Sequence, residues 1–366
     1  MATSSKSTSL RKAQVSVSCY FCKGQDIEWK CVDCNIPMCN SCKDTVHQGL
    51  QSGQDHDVVS IQDISQSSPG FLDVTSVVIS SVFNSYTTTL PAVNTLLCSD
   101  DDLLYLVYNG QTSDKRQFVK GKILKSSIKI LQTLKRNICD IAIDKDGEIH
   151  FIEHHDNKIQ ILSPAGEVKT VVDSSPMTLL AIHVSNENEI IVGLREPGPP
   201  FPVHDFSVRQ VIIFGSDYKR RATLELDKKG NKLFSYALCI RTDSKNVVYV
   251  IDNFGNTNSG RIVAVDRNGR LKFTYDGHND LGTFQPAGIT ITPSDNIVVA
   301  EWTYDALHVI NSKGDLLGLQ FIFKDLGIDP YSLCFDTEGY LLIGSGKGGS
   351  ESHGKIHVVK MIDSLT

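Results

Sequence analysis

Six cysteines and two histidines are concentrated within residues 19–56. The cysteines form three Cys-x-x-Cys pairs, a spacing that lets two thiolates face one metal ion from a tight turn. Zn²⁺ takes four such ligands at about 2.0–2.3 Å, so eight ligands predict two tetrahedral zinc sites with none left over. The predicted ligands are Cys19, Cys22, Cys31, Cys34, Cys39, Cys42, His47 and His56.

These eight ligands can be paired in two ways. A sequential pairing would make two separate knuckles with little shared core. An interleaved pairing would tie a segment too small for a stable core of its own into one unit, and we favour it for that reason. In that pairing the first ion is bound by Cys19, Cys22, Cys39 and Cys42, and the second by Cys31, Cys34, His47 and His56. Asp55 and Asp57 flank His56 and could replace it as a ligand.

Disulfides are a poorer explanation of this pattern. Three disulfides would leave both histidines without a role and would need an oxidising compartment. The opening residues, MATSSKSTSLRKAQ, lack the apolar run of a signal peptide, and no stretch approaches 18 consecutive apolar residues. The sequence therefore predicts reduced cysteines, a cytoplasmic location and no membrane partner.

Residues 19–56 resemble a B-box zinc finger of the tripartite-motif (TRIM) family. The order of the ligands matches the family position by position, with Cys22 where histidine is often found. The resemblance implies a cross-braced fold that holds two zinc ions and serves in protein contacts and self-association.

The remaining chain is long enough for one further large domain. Of the 366 residues 40% are hydrophobic, and the net charge is −6, which argues against a wholly basic nucleic-acid-binding face but not against a local patch. Four cysteines outside the finger lie far apart in apolar runs, and we expect them to be buried as small hydrophobic residues. They are Cys98, Cys139, Cys239 and Cys334.

From about Leu90 the chain repeats a unit of short apolar strands separated by Asp-, Asn- and Gly-containing turns. Second strands are expected at 103–108, 148–153, 189–194, 247–252, 296–301 and 340–345. Third strands are expected at 158–162, 209–214, 261–265, 307–310 and 355–359. A period of roughly 40–56 residues built from four strands predicts an all-β, six-bladed propeller. The units resemble those of NHL and TolB-like propellers.

The sixth unit contains only three strands, and we expect residues 74–89 to supply its fourth. The predicted organisation is a disordered segment at 1–16, a B-box-type finger at 17–60, a Ser/Gln-rich linker at 61–73 and the propeller at 74–366. Units 246–272 and 295–317 are similar to NHL repeats, which one branch of the tripartite-motif family carries. Too few residues precede Cys19 for a RING domain, and residues 60–90 show no heptads, so the chain resembles a family member without RING and coiled coil.

The residues that end each second strand are expected to face the central channel or its rim. They are Tyr108, Glu153, Leu194 with Arg195 beside it, Asp252, Glu301 and Ser345. Oxygen atoms of Glu153, Asp252, Asn253 and Glu301 could bind Ca²⁺. Alternatively, these acids bond to neighbouring turns, and we favour that interpretation.

Loops at 108–122, 195–207, 252–261 and 301–308 are candidate binding surfaces. Trp302 and Tyr304 could anchor a peptide or stack on a base, or pack between blades. His154 and His155 are adjacent and are expected to point to opposite faces of an extended chain, too far apart to share an ion.

These features favour a zinc-binding protein-interaction adaptor without catalytic or organic-cofactor residues. The finger would contact partners or self-associate, and the propeller loops would recognise a ligand. The family resemblance implies a second hypothesis, a ubiquitin-protein ligase or ligase subunit with partners in the ubiquitin pathway. A third is RNA binding by the propeller, which the acidic balance disfavours.

Overall fold

The computed structural model describes residues 19, 21–22, 28–31, 36–47, 56, 58–60, 77–99, 102–110, 116–163, 166–255, 259–346 and 353–366. They divide into two compact units, one made mainly of residues up to 73 and one made mainly of residues from 74 onward. The segments 1–16 and 61–73, predicted to be disordered and a linker, lie outside the described residues.

The small unit contains a three-stranded antiparallel sheet in the order β2-β1-β3. Its elements are β1 (Trp29–Cys31), β2 (Ile36–Met38), a turn of helix α1 (Asn40–Cys42), a π-type turn (Lys43–His47) and β3 (Val58–Ser60). Its described buried residues include only Met38 and two cysteines as hydrophobic core. A core of that size does not stabilise a fold without a covalent or metal cross-link.

The described part of the large unit contains six four-stranded antiparallel sheets, the blades of a β-propeller. Blade 1 consists of β5 (Thr95–Cys98), β6 (Leu103–Tyr108), β7 (Gln117–Ile123) and β8 (Ile128–Leu134). Blade 2 consists of β9 (Ile138–Ile143), β10 (Ile149–Glu153), β11 (Lys158–Leu162) and β12 (Val168–Asp173). Blade 3 consists of β13 (Thr178–Val184), β14 (Ile190–Arg195), β15 (Arg209–Phe214) and β16 (Arg220–Leu224).

The other three blades follow the same order. Blade 4 consists of β17 (Ala237–Thr242), β18 (Val248–Asn253), β19 (Gly260–Val265) and β20 (Leu271–Tyr275). Blade 5 consists of β21 (Pro286–Ile291), β22 (Ile297–Glu301), β23 (Ala306–Ile310) and β24 (Leu316–Phe321). Blade 6 consists of β25 (Pro330–Phe335), β26 (Leu341–Ser345), β27 (Lys355–Met361) and β4 (Ile79–Thr87), which precedes blade 1 in sequence.

Burial decreases from the centre of each blade outward. In blades 3 to 6 every residue of the second strand is buried, whereas the fourth strands of blades 1 to 4 are mostly exposed or half-buried. Apolar side chains of neighbouring blades pack face to face, as Ile152 and Ile159 of blade 2 do in one cluster with Ile190 and Val192 of blade 3. This double-sided burial explains the continuous apolar runs of the inner strands.

The turn geometry explains the repeated Asp, Asn and Gly residues between the first and second strands. Oδ1 of Asp144 accepts hydrogen bonds from the backbone N–H groups two and four residues later, at 3.0 and 2.9 Å. Asp243 and Asp336 do the same in blades 4 and 6. A left-handed residue completes the turn, such as Gly147 with φ 77° or Asn246 with φ 59°. Asp, Asn and Gly at these positions therefore follow from the turn geometry.

Blade 6 joins strands from the two ends of the propeller sequence. β4 lies beside β27, and Thr88 N–H donates to the carbonyl of Gly354 at 2.9 Å. At the other end of the strand, Ile362 N–H donates to the carbonyl of Val78 at 2.9 Å. This pairing gives blade 6 its fourth strand and covers the edge of β27 that would otherwise be open.

Two local features differ from the sequence-based expectation. Strand β7 covers residues 117–123, most of which belong to the predicted loop 108–122. Lys120 and Lys122 interrupt the apolar pattern of this strand. The ammonium group of Lys120 lies 5.4 Å from the ring centroid of Tyr105, so the lysine is accommodated on the blade. A short helix α2 (Ile322–Leu326) ends at Gly327 with φ 67°, and a 3₁₀ turn covers Asp363–Leu365. No helix among the described residues is long and apolar enough to cross a membrane.

Candidate metal centre and channel site

Four cysteine thiols of the small unit converge on one point. The Sγ atoms of Cys19, Cys22, Cys39 and Cys42 all lie within 4.8 Å of one another. Cys22 Sγ and Cys39 Sγ are 3.7 Å apart, far beyond a disulfide bond. Tetrahedral coordination with Zn–S bonds of about 2.3 Å places sulfur atoms about 3.8 Å apart. The donor set and its spacing therefore fit one zinc ion.

The electrostatics of these thiols also favour a bound cation. Burial raises the pKa of Cys19, but backbone N–H donors, among them that of Cys22, lower it to about 6. Burial and the neighbouring thiols, first that of Cys39, raise the pKa of Cys42 to about 12. Four thiolates this close together repel one another, and a divalent ion removes that repulsion by binding all four.

The local elements explain how the four thiols meet. Cys39 immediately precedes α1, and Cys42 is its last residue. The helical hydrogen bonding begins where Lys43 N–H donates to the carbonyl of Cys39 at 3.0 Å. Trp29 on β1 fixes the same helix, since its Nε1 donates to Asn40 Oδ1 at 3.0 Å. The ammonium group of Lys43 lies 3.5 Å from the centroid of the Trp29 ring.

Only part of the second predicted ligand set can be described. His47 ends the π-type turn and is 1% exposed, while His56 is half-buried. Their ring centroids are 5.6 Å apart. Cys31 is described only as a backbone position of β1, and Cys34 lies outside the described residues. The two histidines are thus brought together, while the complete second site stays a prediction.

The large unit contains a cavity of about 340 Å³ where the first strands of the six blades meet. Its walls come from the first strands, and its rim comes from residues at the ends of the second strands or just after them. The rim residues include Asn109, His154, Arg195, Asn253 and Trp302. Apart from Arg195, they lie one position beyond the residues that sequence reasoning placed at the channel. The shift follows from the alternation of side chains along a strand, which turns the preceding residue away from the channel.

The acids considered for a calcium site are engaged within the protein. Glu153 forms a two-pronged ion pair with Arg136 at 2.9 and 3.0 Å, and this pair lowers the pKa of Glu153. Glu301 accepts backbone N–H groups from Gln285, Thr303 and Tyr304 at 2.8–3.1 Å.

Asp252 is fully buried and is similarly occupied. It accepts the N–H groups of Ser235 and Tyr236 at 2.6 and 2.8 Å and a guanidinium bond from Arg261 at 3.1 Å. Burial nevertheless raises the pKa of Asp252. The geometry thus corresponds to the second interpretation of these acids, in which they bond to neighbouring turns rather than to a hard cation.

Residues 14–61 match the family model described as the B-box zinc finger. The amino-terminal unit is a B-box zinc finger. No curated protein matches the chain in sequence. The B-box and its cysteine cluster support zinc binding, and the predicted fold class is confirmed: a B-box zinc finger precedes an all-β six-bladed propeller.

Solved structures resemble the propeller that follows the B-box. A luciferin-regenerating enzyme is 15% identical, with 76% of this chain and 96% of that chain covered and a TM-score of 0.56. A gluconolactonase from Xanthomonas campestris is 15% identical, with 77% and 91% covered and a TM-score of 0.54. A virginiamycin B lyase from Staphylococcus aureus is 16% identical, with 76% and 99% covered and a TM-score of 0.50. Identities this low show the fold alone.

The two adjacent histidines beside the channel do not point to opposite faces as expected. His154 and His155 both line the cavity, with ring centroids 5.6 Å apart, because a left-handed φ of 63° at His155 breaks the strand alternation. Burial, Arg116 and His155 lower the pKa of His154 to about 4, so it is neutral at pH 7.

The two aromatic residues beside the channel differ in their contacts. Trp302 is 44% exposed, and its ring meets that of Tyr331 edge-on. The hydroxyl of Tyr304 accepts the N–H of Gly282 at 2.9 Å.

Sequence reasoning missed three polar residues inside the channel. Asp140 on β9, Arg241 on β17 and Tyr236 just before β17 all line the cavity. The signal was available, because Asp140 and Arg241 interrupt first strands that are otherwise apolar.

Proposed function

We propose that this chain is a non-catalytic adaptor of the tripartite-motif type, in which the B-box binds partner proteins or a second copy and an NHL-like propeller recognises a ligand. A zinc finger joined to a propeller is in general a protein-interaction scaffold. The single observation that carries the proposal is the convergence of Cys19, Cys22, Cys39 and Cys42 within 4.8 Å. A metal-built unit of this size offers surface for contacts with other proteins.

The state of the propeller acids supports the non-catalytic part. The carboxylates of Glu153, Asp252 and Glu301 are used by an arginine or by backbone N–H groups of their own blades. They are therefore committed to positioning turns, and an enzymatic use of them would first have to break these bonds. Reduced thiols in a zinc site are also consistent with a cytoplasmic protein.

Sedimentation velocity of the zinc-loaded full chain tests the adaptor role. We expect concentration-dependent self-association that Cys39→Ser abolishes, because the finger loses a ligand. Cys98→Ser removes a half-buried propeller cysteine and serves as the control. Identical behaviour of wild type and Cys39→Ser over the whole concentration range would argue against self-association through the finger.

A ubiquitin-chain assay separates the adaptor from a ligase. The full chain is incubated with ubiquitin, E1 and a panel of E2 enzymes, beside the Cys31→Ala, Cys34→Ala variant. We expect no chains above background from the zinc-loaded protein. Chains that form with the wild type and disappear with the variant would show that the finger promotes transfer and would overturn the non-catalytic proposal.

A further inference from the structure

Arg195 is a buried arginine in the wall of the central cavity. Only 5% of its surface is exposed, although it ends strand β14 at the rim. Its Nη1 donates to the carbonyls of Glu196 and Gly198 at 2.8 and 2.6 Å, which fix the guanidinium plane. The opposite edge, formed by Nε and Nη2, donates to no described residue, and Nε is fully buried without a partner.

The neighbouring charges leave Arg195 without a counter-ion among the described residues. Arg209, opposite it on β15, pairs with Glu196 at 3.1 Å. The second oxygen of Glu196 accepts the N–H of Val208 at 2.9 Å, so both its oxygens are used. Arg261 is paired with Asp252 at 3.1 Å. The carboxylates of Glu196 and Asp252 are thus already paired with other arginines.

The cavity itself supplies one acid, and that acid is also committed. Asp140 is the only carboxylate among the described residues that line the cavity. Its two oxygens accept the N–H groups of Ile141 and Ile182 at 3.0 and 2.9 Å, and its favourable charge partner is Arg241. Two arginines therefore face this cavity against one carboxylate, and the excess positive charge is that of Arg195.

We propose that the central cavity of the propeller binds a monocarboxylate through Arg195. The Nη2 group of Arg195 makes no hydrogen bond to a described residue and can donate a charge-assisted bond to a carboxylate oxygen, and a buried unpaired cation is costly until such an anion binds. One uncompensated positive charge calls for a single negative charge. The site goes beyond the adaptor function, since it stands whether or not the finger binds a partner.

The other lining residues indicate the body of this ligand. Leu238, Pro200 and Pro286 give the cavity an apolar wall, and the partly exposed ring of Trp302 lies at its rim. A volume of about 340 Å³ is at the lower end of the range for small-molecule sites. The ligand class is therefore a small carboxylate with an apolar or aromatic group, either a free acid or the terminal carboxylate of a peptide.

Calorimetric titration of the full chain with benzoate and with its neutral isostere benzamide tests the proposal. We expect benzoate to bind at one site and benzamide to bind at least about tenfold more weakly, because only the carboxylate makes charge-assisted bonds. Arg195→Gln should weaken benzoate binding by a similar factor, and Arg195→Lys should restore only part of it, because a single ammonium cannot both donate to the carbonyls of Glu196 and Gly198 and reach the ligand as the planar guanidinium does. Arg221→Gln, which changes an exposed arginine on the outer strand of blade 3, should have no effect.

A second variant and a second ligand keep the test decisive. Trp302→Ala changes an exposed ring and should fold normally. It should weaken benzoate binding, and benzamide should still bind more weakly than benzoate. A short peptide that ends in phenylalanine, with a free or an amidated terminus, distinguishes the two sources of carboxylate. Tighter binding of the free-terminus peptide than of benzoate would assign a chain terminus, and the reverse order a free acid. Equal binding of benzoate and benzamide, or no binding of any carboxylate to the folded protein, would overturn the site.

Discussion

The side chain of Asp140 bridges the first strands of blades 2 and 3. Its Oδ2 accepts the backbone N–H of Ile182, 42 residues later, at 2.9 Å, while Oδ1 accepts the N–H of Ile141 at 3.0 Å. Asp140 is 6% exposed, and burial raises its pKa to about 6 despite the nearby guanidinium of Arg241. This contact is a buried polar link between two blades that also share the apolar cluster around Ile152 and Val192.

Asp140→Asn should therefore destabilise the propeller. The substitution replaces one acceptor oxygen by an NH₂ group that faces a backbone N–H, so a buried donor is left unsatisfied. We expect a loss of about 1–3 kcal/mol in the free energy of unfolding, measured by denaturant titration. Asp146→Asn makes the same chemical change at an exposed turn and should be neutral. A loss of equal size in both variants would contradict this role for Asp140.

Gln320 connects blade 5 to the start of the strand that completes blade 6. Its Oε1 accepts the backbone N–H groups of both Val78 and Ile79 at 2.8 Å in a buried environment. Gln320→Ala leaves two buried donors without a partner and should cost about 2 kcal/mol or more. The thermal midpoint should fall by several degrees. Gln132→Ala, at a half-buried position on the outer strand of blade 1, is the control, and an equal effect there would remove the special role of Gln320.

The pair Asp305 and Asp329 should make stability depend on pH. Burial and the adjacent carboxyl of Asp329 raise the pKa of Asp305 to about 6. The folded protein then holds a proton that the unfolded chain releases above about pH 4. The contribution of this pair to stability is therefore greatest below about pH 4 and falls as the pH rises towards 6.

Asp305→Asn should flatten that part of the pH profile and raise the thermal midpoint at pH 7. The gain should be about 1 kcal/mol, since solvent screens this half-buried pair. Asparagine tolerates the left-handed φ of 48° at this position, so the backbone is kept. Thermal unfolding followed from pH 4 to pH 8 measures the effect. A profile parallel to that of the wild type would refute the assignment.

Metal content tests the two-ion prediction for the B-box. Native mass spectrometry of the full chain should detect two zinc ions, one of which is lost in Cys39→Ser. His56→Ala should lose the other, because it removes a ligand of the second predicted set. Cys334→Ser in the propeller core should retain both ions. A single ion in the wild type, unchanged by His56→Ala, would exclude the second site.

Much of the fold was predictable because its signals are local. Apolar second strands repeat six times, each after a turn that contains Asp, Asn or Gly, so strands such as Ile297–Glu301 could be placed almost to the residue. β7 was missed because Lys120, Gly121 and Lys122 obscure its apolar alternation. The left-handed conformation of His155 could not be foreseen, since histidine adopts it only where surrounding structure imposes it.

The two candidate sites differ in how much of each could be predicted from the sequence. The cysteine cluster follows from ligand chemistry and spacing, which are written in the sequence. The carboxylate site depends instead on Arg195 being left over after Arg209, Arg241 and Arg261 have found acids. That assignment requires knowledge of which charges from different blades lie together, and single-strand patterns do not contain it.

The closure of blade 6 has a consequence for synthesis on the ribosome. Ser85 of β4 and His357 of β27 hydrogen-bond at 2.8 Å although they are 272 residues apart in sequence. The nascent chain must therefore carry β4 without its partner while five blades are translated, whereas all predicted zinc ligands of the finger emerge together. During that interval a second nascent copy offers the same strands, so pairing of β4 with another molecule competes with correct closure. Chaperone dependence should accordingly be concentrated in the propeller and not in the finger.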